Sequence, residues 1–264
     1  CIETKTFYKM RKVILLIVIL ISVQTFGQEN KKIDFTKEIQ KFDISNLLTL
    51  EKFNIENDTI VVHRQQPLGY IGENYQRFHI RFISVIKNPK NPLEYFAYGK
   101  TKVKNNICAF QGKLTIKKSM LFEESEVPEL KQGLINGEYE FYEDPDQKGT
   151  GIFKGEFHTF FYITKSGDIK YDALMWVADG FENNQFEGTW TSYKTGNSKK
   201  CNWGDYRIPD SRELDCGVGE FGPDSKYAEY GWESYRLAWI YSSTKPGVKE
   251  ARQKENEKWW IEKE

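Results

Sequence analysis

Hydrophobic and polar residues alternate along much of the chain after Phe53, which is the period of a β-strand. In "RFHIRFISVI", Arg77 to Ile86, the alternation places Phe78, Ile80 and Phe82 on one face. The turn cluster "NPKNP" follows, and a second strand is predicted from Tyr95 to Val103. Short polar turns such as "KSGD" and "KTGNSK" separate the later segments, so we predict an antiparallel meander of about nine or ten strands.

A short pattern with glycine at its centre and an apolar residue on either side occurs four times. The copies are "FQGKL" (Phe110 to Leu114), "INGEY" (Ile135 to Tyr139), "FKGEF" (Phe153 to Phe157) and "FEGTW" (Phe186 to Trp190). Because alternate residues of a strand share a face, each copy places a glycine in the middle of the buried face. Glycine there permits tight bends and leaves room for bulky side chains from opposite strands. We therefore predict a mainly β protein, either an antiparallel β-barrel or a strongly bent meander sheet.

The segment Gly188-Thr189-Trp190 resembles the G-x-W strand of lipocalin-like and avidin-like barrels. The resemblance covers three residues, and in those families the strand comes early, whereas here it comes late in the chain. It implies a calycin-like barrel by analogy of fold, and it implies no function.

Helical periodicity is confined to the two ends of the predicted sheet. Apolar residues between Lys31 and Phe53 recur at helical spacing, which predicts a short helical segment before the strands. A second helix is predicted after Pro246, where Glu250 and Lys254 can pair one turn apart.

The N-terminal residues have the features of a secretory signal peptide. The basic triplet Met10-Arg11-Lys12 precedes the apolar run "VILLIVILISV", which is too short to span a bilayer comfortably. We expect residues 1–27 to be removed, with the true start at Met10, and residues 28–264 to form a single mainly β domain. The expected location is the periplasm or the outside of the cell, with no membrane span after cleavage.

The balance of charges argues against polyanionic partners. Lys and Arg together number 38, and so do Asp and Glu, so the chain has no basic excess. Nucleic acids and anionic membranes select proteins with a clear basic patch, so neither is an expected partner.

Three cysteines follow the predicted signal peptide: Cys108, Cys201 and Cys216. Because exported proteins meet oxidising conditions, we predict a disulfide between Cys201 and Cys216. The alternative is that both remain free thiols. No C-x-x-C or H-x-x-x-H spacing is present, so we predict no zinc site. The acids between Asp205 and Asp224 could hold Ca²⁺, but Arg207 and Arg212 are available to neutralise them instead, and we assign no metal ligand.

The stretch "LDCGVGEFGPDSKY" contains Gly217, Gly219 and Gly222 at the G-x-G-x-x-G spacing of dinucleotide-binding loops. That fingerprint requires an apolar parallel strand before it and a helix after it, because the pyrophosphate binds at the helix N-terminus. Here a polar segment precedes Gly217, and Glu220 within the motif would repel phosphate. We therefore predict a glycine-rich loop and no cofactor.

Aromatic residues are dense between residues 201 and 239 and are interleaved with charged residues. Such mixtures suit recognition of a sugar or an amphipathic partner, although they also pack loops against a core. As ligand-binding residues we predict Trp190, Trp203, Tyr206 and Trp232. The predicted function is a non-enzymatic module that binds a small amphipathic or carbohydrate ligand or a protein. The alternative is an extracytoplasmic glycan or peptide hydrolase that uses loop carboxylates such as Asp205 and Glu220; no catalytic residue is assigned.

Overall fold

A computed structural model describes residues 32–55 and 60–262. The predicted signal peptide lies outside these residues and stays a prediction. Twelve strands lie within these described residues: β1 (Lys32–Asp34), β2 (Lys52–Ile55), β3 (Ile60–His63), β4 (Leu68–Ile71), β5 (Gln76–Lys87), β6 (Glu94–Val103), β7 (Asn106–Phe122), β8 (Lys131–Glu143), β9 (Gly151–Ile163), β10 (Ile169–Tyr171), β11 (Asn183–Ser192) and β12 (Ser198–Asp205). The α-helices are α1 (Ser45–Thr49), α2 (Glu233–Trp239) and α3 (Val248–Glu255), and 3-10 turns form at Ile39–Lys41, Arg212–Leu214 and Ser225–Tyr230.

Eight of the strands form a closed antiparallel ring. The pairing runs β4-β5-β6-β7-β8-β9-β11-β12 and returns to β4, where Cys201 of β12 lies opposite Ile71. The eight strands are not evenly arranged round an axis. The predicted antiparallel meander is therefore confirmed, and it closes on itself.

The interior of the ring is filled mainly by aromatic side chains. Phe186 stacks on Trp203 with ring centroids 4.9 Å apart, and Tyr139 meets the same indole at 5.1 Å. Phe78 lies 5.5 Å from Phe153 at the next level. Because these rings come from strands on different sides of the ring, they form one continuous core.

The inward glycines are needed where side chains or neighbouring strands approach closely. A Cβ on Gly188 would lie 2.5 Å from the hydroxyl of Tyr139, and one on Gly137 would lie 2.5 Å from the ring of Phe157. This confirms the prediction that glycine makes room for bulky residues from other strands.

One end of the ring is covered by the segment that contains α1. Ile39, Ile44 and Leu47 are at most 1% exposed and belong to the interior core. Their backbone is held by the ring, since Lys87 Nζ donates to the carbonyl of Phe42 at 2.6 Å and Asn184 Nδ2 donates to that of Leu47 at 2.9 Å. The predicted helical segment between Lys31 and Phe53 is thus a short 3-10 turn and one short helix, flanked by β1 and β2.

The C-terminal residues form a second core on the outside of β4 and β5. Trp232 is fully buried there and donates its indole N–H to the carbonyl of Tyr75 at 2.7 Å. The predicted C-terminal helix is present as α3, and Arg77 pairs with Glu255 at 2.6 Å to attach it to the ring. Among the described helices, none has the length and apolar character required to cross a membrane.

Candidate functional site

The end of the ring opposite α1 opens into a cavity of about 1140 Å³. Four turns surround its entrance: residues 72–75, 104–105, 144–150 and 193–197, which connect consecutive ring strands. Each turn contains at least one residue with a left-handed backbone; these are Gly72 and Tyr75 in the first turn, then Lys104, Gly149 and Gly196. We call this cavity the mouth. The four turns lie together because every second connection of an antiparallel meander is at the same end of the ring.

The wall and floor of the mouth combine apolar side chains with one carboxyl group. Phe78 and Phe153 form the floor, directly above the aromatic core. Trp190 and Cys108 line the wall, and Glu143 lies between them and Thr101. Apolar lining with a few polar groups is typical of small-molecule sites.

Glu143 is 4% exposed and binds three donors from three different strands. Its Oε1 accepts from the hydroxyl of Thr101 at 2.5 Å, and its Oε2 accepts from Trp190 Nε1 at 2.9 Å and from the amide of Gly151 at 3.0 Å. Burial raises the pKa of Glu143, while these hydrogen bonds act in the opposite direction. Since each carboxylate oxygen can accept two hydrogen bonds, Oε1 retains one acceptor position.

The rim of the mouth is polar and carries both charges. Lys200 is neutralised by an ion pair with Asp210. Lys104, Lys199 and Glu73 are exposed at the rim and make no ion pair with another described residue. The mouth therefore offers an apolar interior below a rim of free charges.

The four predicted ligand-binding residues are not brought together. Trp190 lines the mouth, whereas Trp203 is 1% exposed and lies in the aromatic core below it. Tyr206 follows β12 at the opposite end and packs on Phe181 with ring centroids 5.1 Å apart. Trp232 is enclosed in the outer C-terminal core. Ligand contact therefore stays a prediction, and the geometry favours it for Trp190.

The predicted disulfide is wrong in this structure, because Cys201 and Cys216 are both free. Cys201 faces the ring interior on the same side of β12 as Trp203 and is 0% exposed. Cys216 lies in the exposed loop after β12, where its thiol donates to the carbonyl of Gly222 at 3.3 Å. Cys201 and Cys216 are close in sequence, but the alternation of side chains along β12 directs the thiol of Cys201 into the ring and away from the loop that carries Cys216.

The glycine-rich loop has a different organisation from a dinucleotide-binding loop. Asp215 Oδ1 accepts from the amides of both Gly217 and Gly222 at 2.9 Å, which closes the loop on itself. Arg207 donates to Asp215 Oδ2 at 2.6 Å and so neutralises it. Among the described residues no group of three or more His, Cys, Asp and Glu side chains is arranged to hold a metal ion.

The two carboxylates named for a hydrolase have very different surroundings. Asp205 is 1% exposed and pairs with Arg64 at 3.1 Å, and it also accepts from Tyr171 and Asn184. Glu220 is exposed in the glycine-rich loop. All of these contacts of Asp205 are structural, so the geometry gives the hydrolase alternative no support.

Sequence reasoning missed Glu143, although a signal for it was present. In "YEFYE" the alternation places Glu143 on the same face as Tyr139 and Phe141, which are 3% and 0% exposed. An acid that continues a buried apolar face is rare unless it is hydrogen-bonded, and such a residue is a candidate for a site.

Comparisons of the chain with protein-family models, with curated proteins and with solved structures found no match.

Proposed function

We propose that this protein is an exported, non-enzymatic binding module that holds a small amphipathic ligand in the mouth of its strand ring. The apolar part of the ligand would contact Phe78, Phe153 and Trp190. Its polar part would lie at the rim, near Lys104 and Lys199.

The observation that carries this proposal is the contrast between the two ends of the ring. The end at α1 is closed by buried aliphatic side chains, whereas the other end is open above an apolar floor and holds a buried carboxyl group. Eight-stranded rings are just large enough to hold side chains or one small ligand, and barrel mouths are common ligand sites.

The first test is a thermal-shift screen of the purified protein against amphipathic small molecules. We expect at least one compound to raise the unfolding midpoint, since a ligand that binds only the folded state stabilises it. Trp190→Phe should weaken the binding of that compound about fivefold, because part of the apolar wall is lost.

The matched control is Trp239→Phe, which removes a 41% exposed indole outside the mouth. Its affinity for the compound should equal that of the wild type. If no compound raises the midpoint, or if both variants weaken binding equally, the mouth is not the ligand site.

Export is supported by the basic and apolar residues between Met10 and Gln28. N-terminal sequencing of the protein recovered from the periplasm or medium of the source cell should begin at Gln28. Recovery from the cytoplasm with Met10 intact would contradict this part of the proposal.

A further inference from the structure

The outer face of the ring over β5 to β8 carries a group of exposed aromatic side chains. Phe96, Tyr98 and Tyr142 are 49%, 44% and 40% exposed, although large aromatic residues are usually more buried. No described element covers this part of the sheet, and a shallow depression of about 640 Å³ crosses it. We call this surface the outer platform.

The platform is organised as a straight row across three strands. Tyr98 of β6 lies opposite Gln111 of β7, and Gln111 lies opposite Tyr142 of β8. Neighbouring strands of a sheet lie about 4.8 Å apart, and β6 and β8 are separated by β7, so the backbones at Tyr98 and Tyr142 are about 10 Å apart. Two exposed rings therefore flank one amide side chain.

The amide in the centre is available for hydrogen bonds. Gln111 is exposed, and its side chain makes no hydrogen bond with another described residue. It offers two donors and one acceptor between the two rings.

Charges beside the row neutralise one another. Lys113 pairs with Glu94 at 3.2 Å, and Lys154 pairs with Glu140. The platform therefore has no free charge in its centre to attract an anionic or cationic partner. A partner that matches it is neutral and polar, with apolar patches that can lie on flat rings.

We propose that the outer platform binds an extended neutral glycan. A pyranose ring has a face of C–H groups that packs on an aromatic ring and a rim of hydroxyls that exchange hydrogen bonds with an amide. The separation of Tyr98 and Tyr142 suits two sugar units of one chain, with Gln111 between them. This site is distinct from the mouth, and it does not depend on the function proposed there.

The test is affinity electrophoresis of the whole protein in native gels that contain galactomannan, xylan, laminarin or hydroxyethyl cellulose. We expect at least one of these polymers to retard the wild type and alginate, which is anionic, not to do so. Tyr98→Ala and Tyr142→Ala should each weaken retardation about tenfold, whereas Tyr98→Phe should retain it because the ring remains.

The matched control is Tyr241→Ala, which removes a tyrosine of the same 40% exposure from the C-terminal region. Retardation should be unchanged in this variant, and that of the wild type should be unchanged by a compound that binds in the mouth, which keeps the test separate from the mouth. The proposal is overturned if no neutral polymer retards the wild type, or if Tyr98→Ala and Tyr142→Ala are retarded like the wild type. It is equally overturned if sedimentation shows that the platform pairs two copies of the chain, so that Tyr98→Ala yields monomers.

Discussion

A single carboxyl group, Glu143, determines how the open end of the ring is held together. It accepts hydrogen bonds from Thr101, Trp190 and Gly151, which belong to three other strands. Glu143→Ala leaves the half-buried indole of Trp190 and the buried amide of Gly151 without an acceptor, and should lower the free energy of unfolding by about 1–3 kcal/mol. Glu143→Gln keeps an oxygen for these two donors, and its amide can donate to the hydroxyl of Thr101, so its loss should be smaller. Urea unfolding of the two variants measures the difference, and equal losses would contradict the assigned hydrogen bonds.

The same residue should give stability a dependence on pH. Burial raises the pKa of Glu143 in the folded protein above its value in the unfolded chain, so folding favours the protonated form. The contribution of Glu143 to the free energy of unfolding is fully present below its pKa in the unfolded chain, about 4.3, and is lost as pH rises through its pKa in the folded protein. The stability of the wild type relative to Glu143→Gln should therefore fall between acid and neutral pH. If the unfolding free energies of the two proteins change in parallel with pH, the pKa of this carboxyl group is the same in the folded and unfolded chain.

At the scale of elements, the closed end depends on a buried ion pair between Arg64, the residue after β3, and Asp205 of β12, and Arg64 also contacts α1. Arg64 pairs with Asp205 and donates to the carbonyl of Leu48 at 3.0 Å. Arg64→Met leaves the carboxylate of Asp205 buried without its cation, and should cost about 3–5 kcal/mol of unfolding free energy. Adding Asp205→Asn should recover part of the loss, because the uncompensated charge is removed.

The control for this ion pair is Lys117→Met, since Lys117 and its partner Glu138 are 52% and 58% exposed. A pair of this kind is worth about 0–1 kcal/mol, so the loss should be small in urea unfolding. If Arg64→Met costs no more than Lys117→Met, the pair with Asp205 does not hold the segment containing α1 on the ring.

An element could be predicted from the sequence where the residues that determine it are close together in the chain. The strand containing Phe78, Ile80 and Phe82 follows from alternation alone, and all three residues are buried as predicted. The inward position of Gly188 follows in the same way. The place of α1 did not, because Leu47 is held by Asn184, 137 positions away, and Arg64, which holds Leu48, is itself held by Asp205, 141 positions away.

For the molecule as a whole, the antiparallel order of the strands could be predicted, although twelve strands are described where about nine or ten were predicted. The functional ends of the ring could not be predicted. Which turns surround the mouth depends on how the ring closes between β12 and β4, and no local pattern encodes that pairing. For the same reason, Trp190 and Trp203 look alike in sequence, but one lines the mouth and the other fills the core. Density of aromatic residues indicated a binding surface, whereas most of those residues between 201 and 239 pack the second core.

Closure of the ring leads to a prediction for the three described cysteines. Cys216 is exposed, whereas Cys108 and Cys201 are buried at 2% and 0% exposure. Burial raises the pKa of Cys108 to about 11 and that of Cys201 well above its ordinary value, so both lack reactive thiolate. In the native protein a thiol reagent should therefore label Cys216 rapidly. Cys201 should be labelled only when the whole ring opens.

Mass spectrometry of digested samples can follow each thiol separately. The labelling rate of Cys201 should rise in Arg64→Met by the same factor as the equilibrium constant of unfolding, since exposure of this thiol requires global opening. Labelling of Cys216 should be unaffected by that substitution. A peptide that links Cys201 to Cys216 in a non-reducing digest would contradict the structure and restore the disulfide that the sequence predicted. Rapid labelling of Cys201 in the wild type would instead mean that the ring opens locally between β12 and β4, next to the mouth.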